Sequence, residues 1–230
     1  MKKLFLSLVL MLAGISSAFA GLSNYEQNLE IDALMRGQTY TFTTSYVGLL
    51  TCTNGPIARS TTYALNNTVT YVAADGVNHL YKVTTAGTTA ASAPTYPGAK
   101  NEVITDGTAV MTEQTSALQA ETAEVEPSGG SYARVSYTNS LTNWSGTQGT
   151  GTTVASSGTS ATTYNNAIIS YVTPTANWAV SPAAVWGFAI YDAATAGHVR
   201  RWAPFSADVY IASGNSVAFQ PNALSINIDY

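Results

Sequence analysis

The sequence has little charge and a single cysteine, and its one long apolar run lies at the start. Charged residues make up 10 % of the 230 residues, against a usual share of roughly 25 %, which excludes a coiled coil or a helical array. Nine Lys and Arg stand against 13 Asp and Glu, a net charge of -4. This balance excludes the basic surface that nucleic-acid binding needs. The lone cysteine excludes a disulfide framework and a cysteine-rich zinc site. The apolar fraction of 46 % is too high for a disordered chain.

The first twenty residues have the pattern of a secretory signal peptide. Lys2 and Lys3 precede an apolar run over residues 4–12, and small residues end the segment at Ala18 and Ala20. The run is shorter than the roughly 20 apolar residues of a membrane-spanning helix, so no membrane span is predicted. The pattern predicts export with cleavage after Ala20, and a hydrophobic arm that stays on the chain is the alternative.

One helix is predicted after this leader. Ser23 is a favoured N-cap residue, and Glu26 three residues later completes a capping box. The apolar periodicity continues to Arg36, and Gly37 is the stop signal. The apolar side of this helix is expected to pack on its own β domain or on a neighbouring subunit.

From Thr39 onward the sequence is typical of β-structure. Turn signals such as Asn54-Gly55, Asp75-Gly76 and Asp106-Gly107 separate short runs of alternating apolar and polar residues. This spacing predicts an antiparallel β-sandwich or barrel. In the second half of the chain the predicted strands span residues 131–137, 167–172, 185–191, 199–202, 208–211, 216–219 and 223–229.

The sequence contains no recognisable catalytic or metal-binding constellation. His79 and His198 each stand alone, without a second histidine at ligand spacing or a nearby carboxylate cluster. No serine lies in a Gly-x-Ser-x-Gly elbow, and Asp75 and Asp106 are expected to form turns. Cys52 is predicted to be a small buried hydrophobe. We therefore expect no enzyme activity, no cofactor and no metal.

Aromatic residues are the main candidates for recognition. The chain has 14 Tyr and four Trp, which fill β cores but also offer flat apolar surface to sugars. Arg200 and Arg201 precede Trp202, and this basic pair suits an anionic sugar or simply alternates across a strand. Glu121, Glu124 and Glu126 are expected to form an exposed acidic connector.

Two separated parts of the chain resemble one known family. The first part comprises residues 22–28, 34–38 and 46–51, and the second comprises residues 130–135, 141–144, 165–169, 176–178, 186–193 and 223–229. In this order they resemble the two halves of a family of bacteriophage tail-fibre-like virion proteins. The resemblance implies a structural role in the virion, together with other virion proteins. The low-charge, Thr-rich strands and the amphipathic helix favour self-association, which predicts a homo-oligomer such as a trimer.

The stretch between these halves is similar to a small β module of phage tail and fibre proteins. Residues 63–69, 80–89, 92–96 and 103–108 carry this likeness, which extends to carbohydrate-binding modules. Tyr96 and Met111 stand where that module commonly has Trp. Tyr81, Tyr96, Arg200 and Trp202 are the candidate contacts for a glycan or receptor.

Together these observations predict an all-β chain: an antiparallel, jelly-roll-like β-sandwich with one N-terminal helix and a small inserted β module. The predicted divisions are a leader over residues 1–20, a sandwich from 21–51 plus 129–230, and the module at 52–126. The predicted function is a non-enzymatic virion structural protein that takes part in assembly and host-surface attachment. It would reside in the virion, or be exported if the leader is cleaved. The alternative is a secreted glycan-binding protein.

Overall fold

A computed structural model describes residues 9–11, 21–149, 151–157 and 161–227, and the fold over these residues is mostly β. The all-β sandwich class predicted from the sequence is confirmed. The helices of the described residues are α1 (Asn24–Arg36) and α2 (Thr115–Gln119). The strands are β1 (Val9–Met11), β2 (Gly21–Leu22), β3 (Thr44–Cys52), β4 (Thr62–Tyr63), β5 (Thr68–Val72), β6 (Asn78–Thr85), β7 (Gly87–Thr88), β8 (Val103–Asp106), β9 (Ala109–Glu113), β10 (Val135–Thr138), β11 (Thr162–Tyr164), β12 (Ile169–Ser170), β13 (Ala184–Tyr191), β14 (Val199–Val209), β15 (Ser216–Phe219) and β16 (Ser225–Asn227).

A five-stranded sheet in the order β10-β3-β13-β14-β2 forms the centre of the fold. Every residue of β13 is buried, because both faces of this strand are covered. From Phe188 to Tyr191 its side chains alternate between two hydrophobic clusters, as the two-residue period of a strand requires. Phe188 and Ile190 point into one cluster and Tyr191 into the other. Trp186 shares the cluster of Tyr191, because a register irregularity between Val185 and Gly187 shifts the alternation.

The first cluster is the core of a sandwich. Across from the five-stranded sheet lie β12 and β15 of a three-stranded sheet and the ribbon of β11 and β16. Phe188 meets Phe219 of β15 edge to face, with ring centroids 5.9 Å apart. Ile169 and Leu224 complete the same core. Burial of these apolar side chains provides the main drive for the two layers to pack.

Within the predicted leader, residues 1–20, the structure describes only β1. The backbone of β1 pairs in parallel with β15, with Val9 opposite Ser216. Cleavage after Ala20 stays a prediction, and residues 1–8 and 12–20 of the predicted leader lie outside the described residues. Neither described helix is long and apolar enough to cross a membrane.

A second sheet, in the order β5-β6-β9-β8, has a core of its own. Tyr81, Tyr96 and Met111 are fully buried in it. This sheet and the adjoining β4–β7 ribbon lie within the predicted module, residues 52–126, and the predicted domain boundaries stay a prediction. The short helix α2 follows β9 and was not predicted, because its first N–H is capped by the carboxylate of Glu113 rather than by a residue of the usual N-cap position.

The two sheet systems meet along β14. The carboxylate of Asp208 accepts hydrogen bonds from Thr70 Oγ1 at 2.7 Å and from Asn78 Nδ2 at 3.0 Å. Burial raises the pKa of Asp208, although the two hydrogen bonds oppose this effect. Leu80 of β6 and Leu118 of α2 belong to the same hydrophobic cluster as Trp186 and Trp202. Beside this contact the two sheets enclose a cavity.

Candidate functional site

A cavity of about 430 Å³ lies between the central sheet and the four-stranded sheet. Its size is within the roughly 300–1,000 Å³ of small-molecule sites. Strands of both sheets, β2 and α2 surround it. The lining residues are Gly21, Asp75, Val77, Asn78, His79, Leu80, Gly98, Ala99, Lys100, Glu113, Thr115, Leu118, Gln119, Trp186, Trp202 and Pro204.

Two tryptophans on neighbouring strands form the apolar wall of the cavity. Trp186 is 1 % and Trp202 is 7 % exposed, and their ring centroids lie 6.3 Å apart. Within the described part of the chain, neither indole N–H has a hydrogen-bond acceptor. A buried donor without an acceptor costs about 1–3 kcal/mol. Each tryptophan of the wall therefore carries this cost.

The backbone of Gly21 lies directly against the indole of Trp202. A Cβ atom at residue 21 would lie 2.3 Å from Cε2 of that ring, which is too close for any side chain. This approach requires glycine, and it places the start of the described β2 segment over the tryptophan.

The polar side of the cavity is organised by His79. Its Nε2 lies 2.9 Å from Asp75 Oδ2, and its Nδ1 lies 3.0 Å from Glu113 Oε1. Burial lowers the pKa of His79, but hydrogen bonds to Glu113 and Asp75 and the two negative charges outweigh burial, so the pKa is raised. The pKa of Asp75 is lowered: burial opposes this shift, but hydrogen bonds from the Val77 N–H and His79 outweigh it. The expectation that His79 stands alone, without a nearby carboxylate cluster, is wrong, because Asp75 and Glu113 both contact its ring.

Glu113 joins this polar group to the surrounding loops. Its buried carboxylate accepts hydrogen bonds from the backbone N–H of Thr115 at 2.9 Å and of Asn101 at 3.3 Å. Lys100 Nζ donates to Gln119 Oε1 at 2.9 Å across the mouth of the cavity. These bonds fix the positions of the loop before β8 and of α2.

The predicted contacts Tyr81 and Tyr96 are buried in the core of the four-stranded sheet. Their exposed fractions are 0 % and 1 %, and their rings meet edge to face at 5.1 Å. The Tyr81 hydroxyl donates to the carbonyl of Pro97 at 2.5 Å, and the Tyr96 hydroxyl donates to Asp106 at 2.5 Å. Neither lines the cavity, and a glycan contact by either stays a prediction.

The other two predicted contacts, Arg200 and Trp202, have different surroundings. Arg200 is buried and pairs with Glu26 of α1, whereas Trp202 lines the cavity. The structure thus brings together Trp202 and several residues that the sequence analysis missed, chiefly Trp186, His79 and Glu113. The Asp75–His79 pair lies within the β5–β6 hairpin, so the Asp-Gly turn is a local sequence signal for it. Glu113 has no local sequence signal, because its position next to His79 depends on the pairing of β6 with β9.

In the described ranges, no group of three or more His, Cys, Asp or Glu side chains is placed to hold a metal ion. The buried Cys52 is free, and burial raises its thiol pKa to about 12. His198, also expected to stand alone, lies 3.1 Å from Glu121 Oε2 and stacks on Tyr25. This pair is on the surface and away from the cavity lining.

The fold and the family comparison together define a phage virion structural protein. The model of the family described as podophage GP4 fiber I protein gp80 matches residues 107–227, just over half of the chain. The chain therefore belongs to this family. The match covers most of the second part of the predicted resemblance and begins inside the four-stranded sheet. No curated protein matches the chain.

Proposed function

We propose that the protein is a non-enzymatic component of a phage fibre that assembles with other virion proteins and attaches the particle to the host surface. Membership of the podophage fibre family is the observation that carries this proposal. A second support is the cavity beside the four-stranded sheet, since binding sites are commonly built on loops and clefts of a rigid β scaffold.

The first test is peptide mass spectrometry of density-banded phage particles. We expect the protein at structural stoichiometry, and its absence from the particles would overturn the virion role and favour the secreted glycan-binding alternative. The N-terminal peptide found in the same experiment shows whether the leader has been cleaved. A chain that starts at Gly21 has been cleaved after Ala20, and one that starts at Met1 has kept the segment.

Attachment is tested separately by competition. Purified full-length protein added to host cells before infection is expected to reduce phage adsorption in a dose-dependent way. Adsorption that does not change at saturating protein would exclude attachment by this chain. Light scattering on the same sample tests the proposed homo-oligomer, and a monomer at high concentration would contradict it. Release of sugars from host polysaccharide would contradict the proposed lack of enzyme activity.

A further inference from the structure

We infer that the cavity between the two sheets is a binding site for a neutral saccharide unit. This inference rests on the proposed attachment function and gives it a location and a ligand class. The glycan would then contact the wall formed by Trp186 and Trp202 rather than the buried Tyr81 and Tyr96.

The cavity has an apolar side and a polar side. Leu80, Leu118 and Pro204 join the two tryptophans in one apolar surface, whereas polar groups stand on the side of His79 and Gln119. Small-molecule sites are mostly apolar with a few polar groups that fix orientation. A sugar ring has this same division, because its C–H face is apolar and its edge carries hydroxyl groups.

The rings of Trp186 and Trp202 both line the cavity. Their N–H groups are buried and have no acceptor within the described residues, and the N–H edge of Trp202 lies against Gly21. The wall therefore offers flat aromatic area rather than free donors. Such area suits the apolar C–H face of a sugar ring, whose hydroxyl groups can then meet the polar side of the cavity.

The charged groups of the polar side balance one another. Asp75 and Glu113 bring two carboxylates, with His79 between them, and Lys100 of the lining keeps its positive charge because its partner Gln119 is neutral. A charged sugar would find no surplus of opposite charge to offset the loss of its hydration. The neutral class is therefore preferred over acidic polysaccharides.

The test uses the full chain on an array of neutral and acidic glycans, followed by titration calorimetry with the strongest neutral binder. The blocking variant is Ala99→Trp, since Ala99 is exposed and lines the mouth of the cavity. Its matched control is Ala86→Trp, at an exposed alanine that does not line the cavity. Trp202→Phe, which replaces the indole by a smaller aromatic ring, is the second variant.

We expect neutral glycans to bind better than acidic ones. Ala99→Trp should weaken binding at least tenfold, Trp202→Phe should weaken it several-fold, and Ala86→Trp should bind like the unchanged protein. Three results would overturn the inference: no neutral glycan binds, acidic glycans bind best, or Ala99→Trp binds as well as its control.

The adsorption competition separates this inference from the proposed function. If the unchanged protein blocks adsorption but binds no neutral glycan, attachment stands and the cavity inference fails. If a neutral glycan binds and Ala99→Trp abolishes this binding while adsorption is unaffected by the protein, the cavity inference stands and the attachment function fails.

Discussion

Glu121, Glu124 and Glu126 follow α2 within six positions, and their carboxylates have different surroundings. They were expected to be exposed, but each is half-buried. Glu126 is held by Arg134, whose Nη2 lies 2.6 Å from Oε2 and whose guanidinium stacks 3.3 Å from the ring centre of Tyr191. Glu124 instead has a buried Oε1 without a hydrogen-bond partner in the described residues. The connector is thus part of the packed structure.

Glu124 makes stability depend on pH near neutrality. Burial, aided by the charge of Glu121, raises the pKa of Glu124 to about 7 from an ordinary value of 4.5. The folded state therefore favours the protonated acid, and this contribution is fully present below pH 4.5 and is lost as the pH rises through 7. We expect Glu124→Gln to raise the free energy of unfolding at pH 8 by about 1–2 kcal/mol.

Urea unfolding at pH 4 and pH 8 measures this effect. The gain from Glu124→Gln should be confined to the higher pH, because the wild-type side chain is already neutral at the lower one. Glu102→Gln is the matched control, since Glu102 is exposed and should change stability little at either pH. A gain of the same size at both pH values would contradict the assignment to ionisation.

At the scale of elements, α1 is attached to the sheet by charge rather than by apolar packing. Ser23 Oγ accepts from the N–H of Glu26 at 3.0 Å, which confirms the predicted N-cap. The carboxylate of Glu26 does not complete the capping box; it is buried against Arg200 and Arg201 of β14. Ile31, Leu34 and Met35 of the helix are 51 %, 78 % and 75 % exposed, so these three apolar side chains do not cover the sheet of their own chain.

Removal of the Glu26 charge should therefore destabilise the protein more than removal of the cap. Glu26→Gln leaves Arg200 buried without its full counter-charge, and we expect a loss of about 3–5 kcal/mol. Ser23→Ala removes one hydrogen bond at the helix terminus, which costs about 1 kcal/mol. Urea unfolding of both variants measures the difference.

Asp32→Asn provides the control for that comparison. Asp32 pairs with Arg36 on the exposed side of the same helix at 2.7 Å, and such pairs contribute about 0.5 kcal/mol or less. If Glu26→Gln is no more destabilising than Ser23→Ala or Asp32→Asn, the buried ion pair does not anchor α1.

Elements with local signals were predictable, and those set by long-range pairing were not. Ser23 and Gly37 bound α1 correctly, and the predicted strand 216–219 is β15. The predicted strands 199–202 and 208–211 are wrong as separate elements, because β14 runs from Val199 to Val209 through Pro204. Pro204 is tolerated there, since it lies opposite Gly187 beside an irregularity in the β13–β14 register. The cavity could not be predicted, because its lining comes from residues 21 to 204 and depends on how two sheets meet.

At the scale of the whole molecule, the two sheet systems share apolar side chains as well as hydrogen bonds. Leu80 and Leu118 come from the four-stranded sheet and α2, and they pack in one cluster with Leu50, Trp186 and Trp202 of the central sheet. Elements that share a buried cluster lose that burial together when either one unfolds. We therefore expect a single cooperative transition in calorimetry rather than two.

Leu118→Ala tests this coupling. Leu118 is 1 % exposed, and truncation of a buried leucine costs about 2–5 kcal/mol. Because the cluster belongs to both sheets, we expect the variant to lower the melting temperature of the single transition, or to split it into two as the shared contact weakens. Leu65→Ala is the control: Leu65 is 57 % exposed and contributes little buried surface. Two separate transitions in the unchanged protein would show that the sheets unfold independently, and the cavity between them would then depend on a contact too weak to hold its shape.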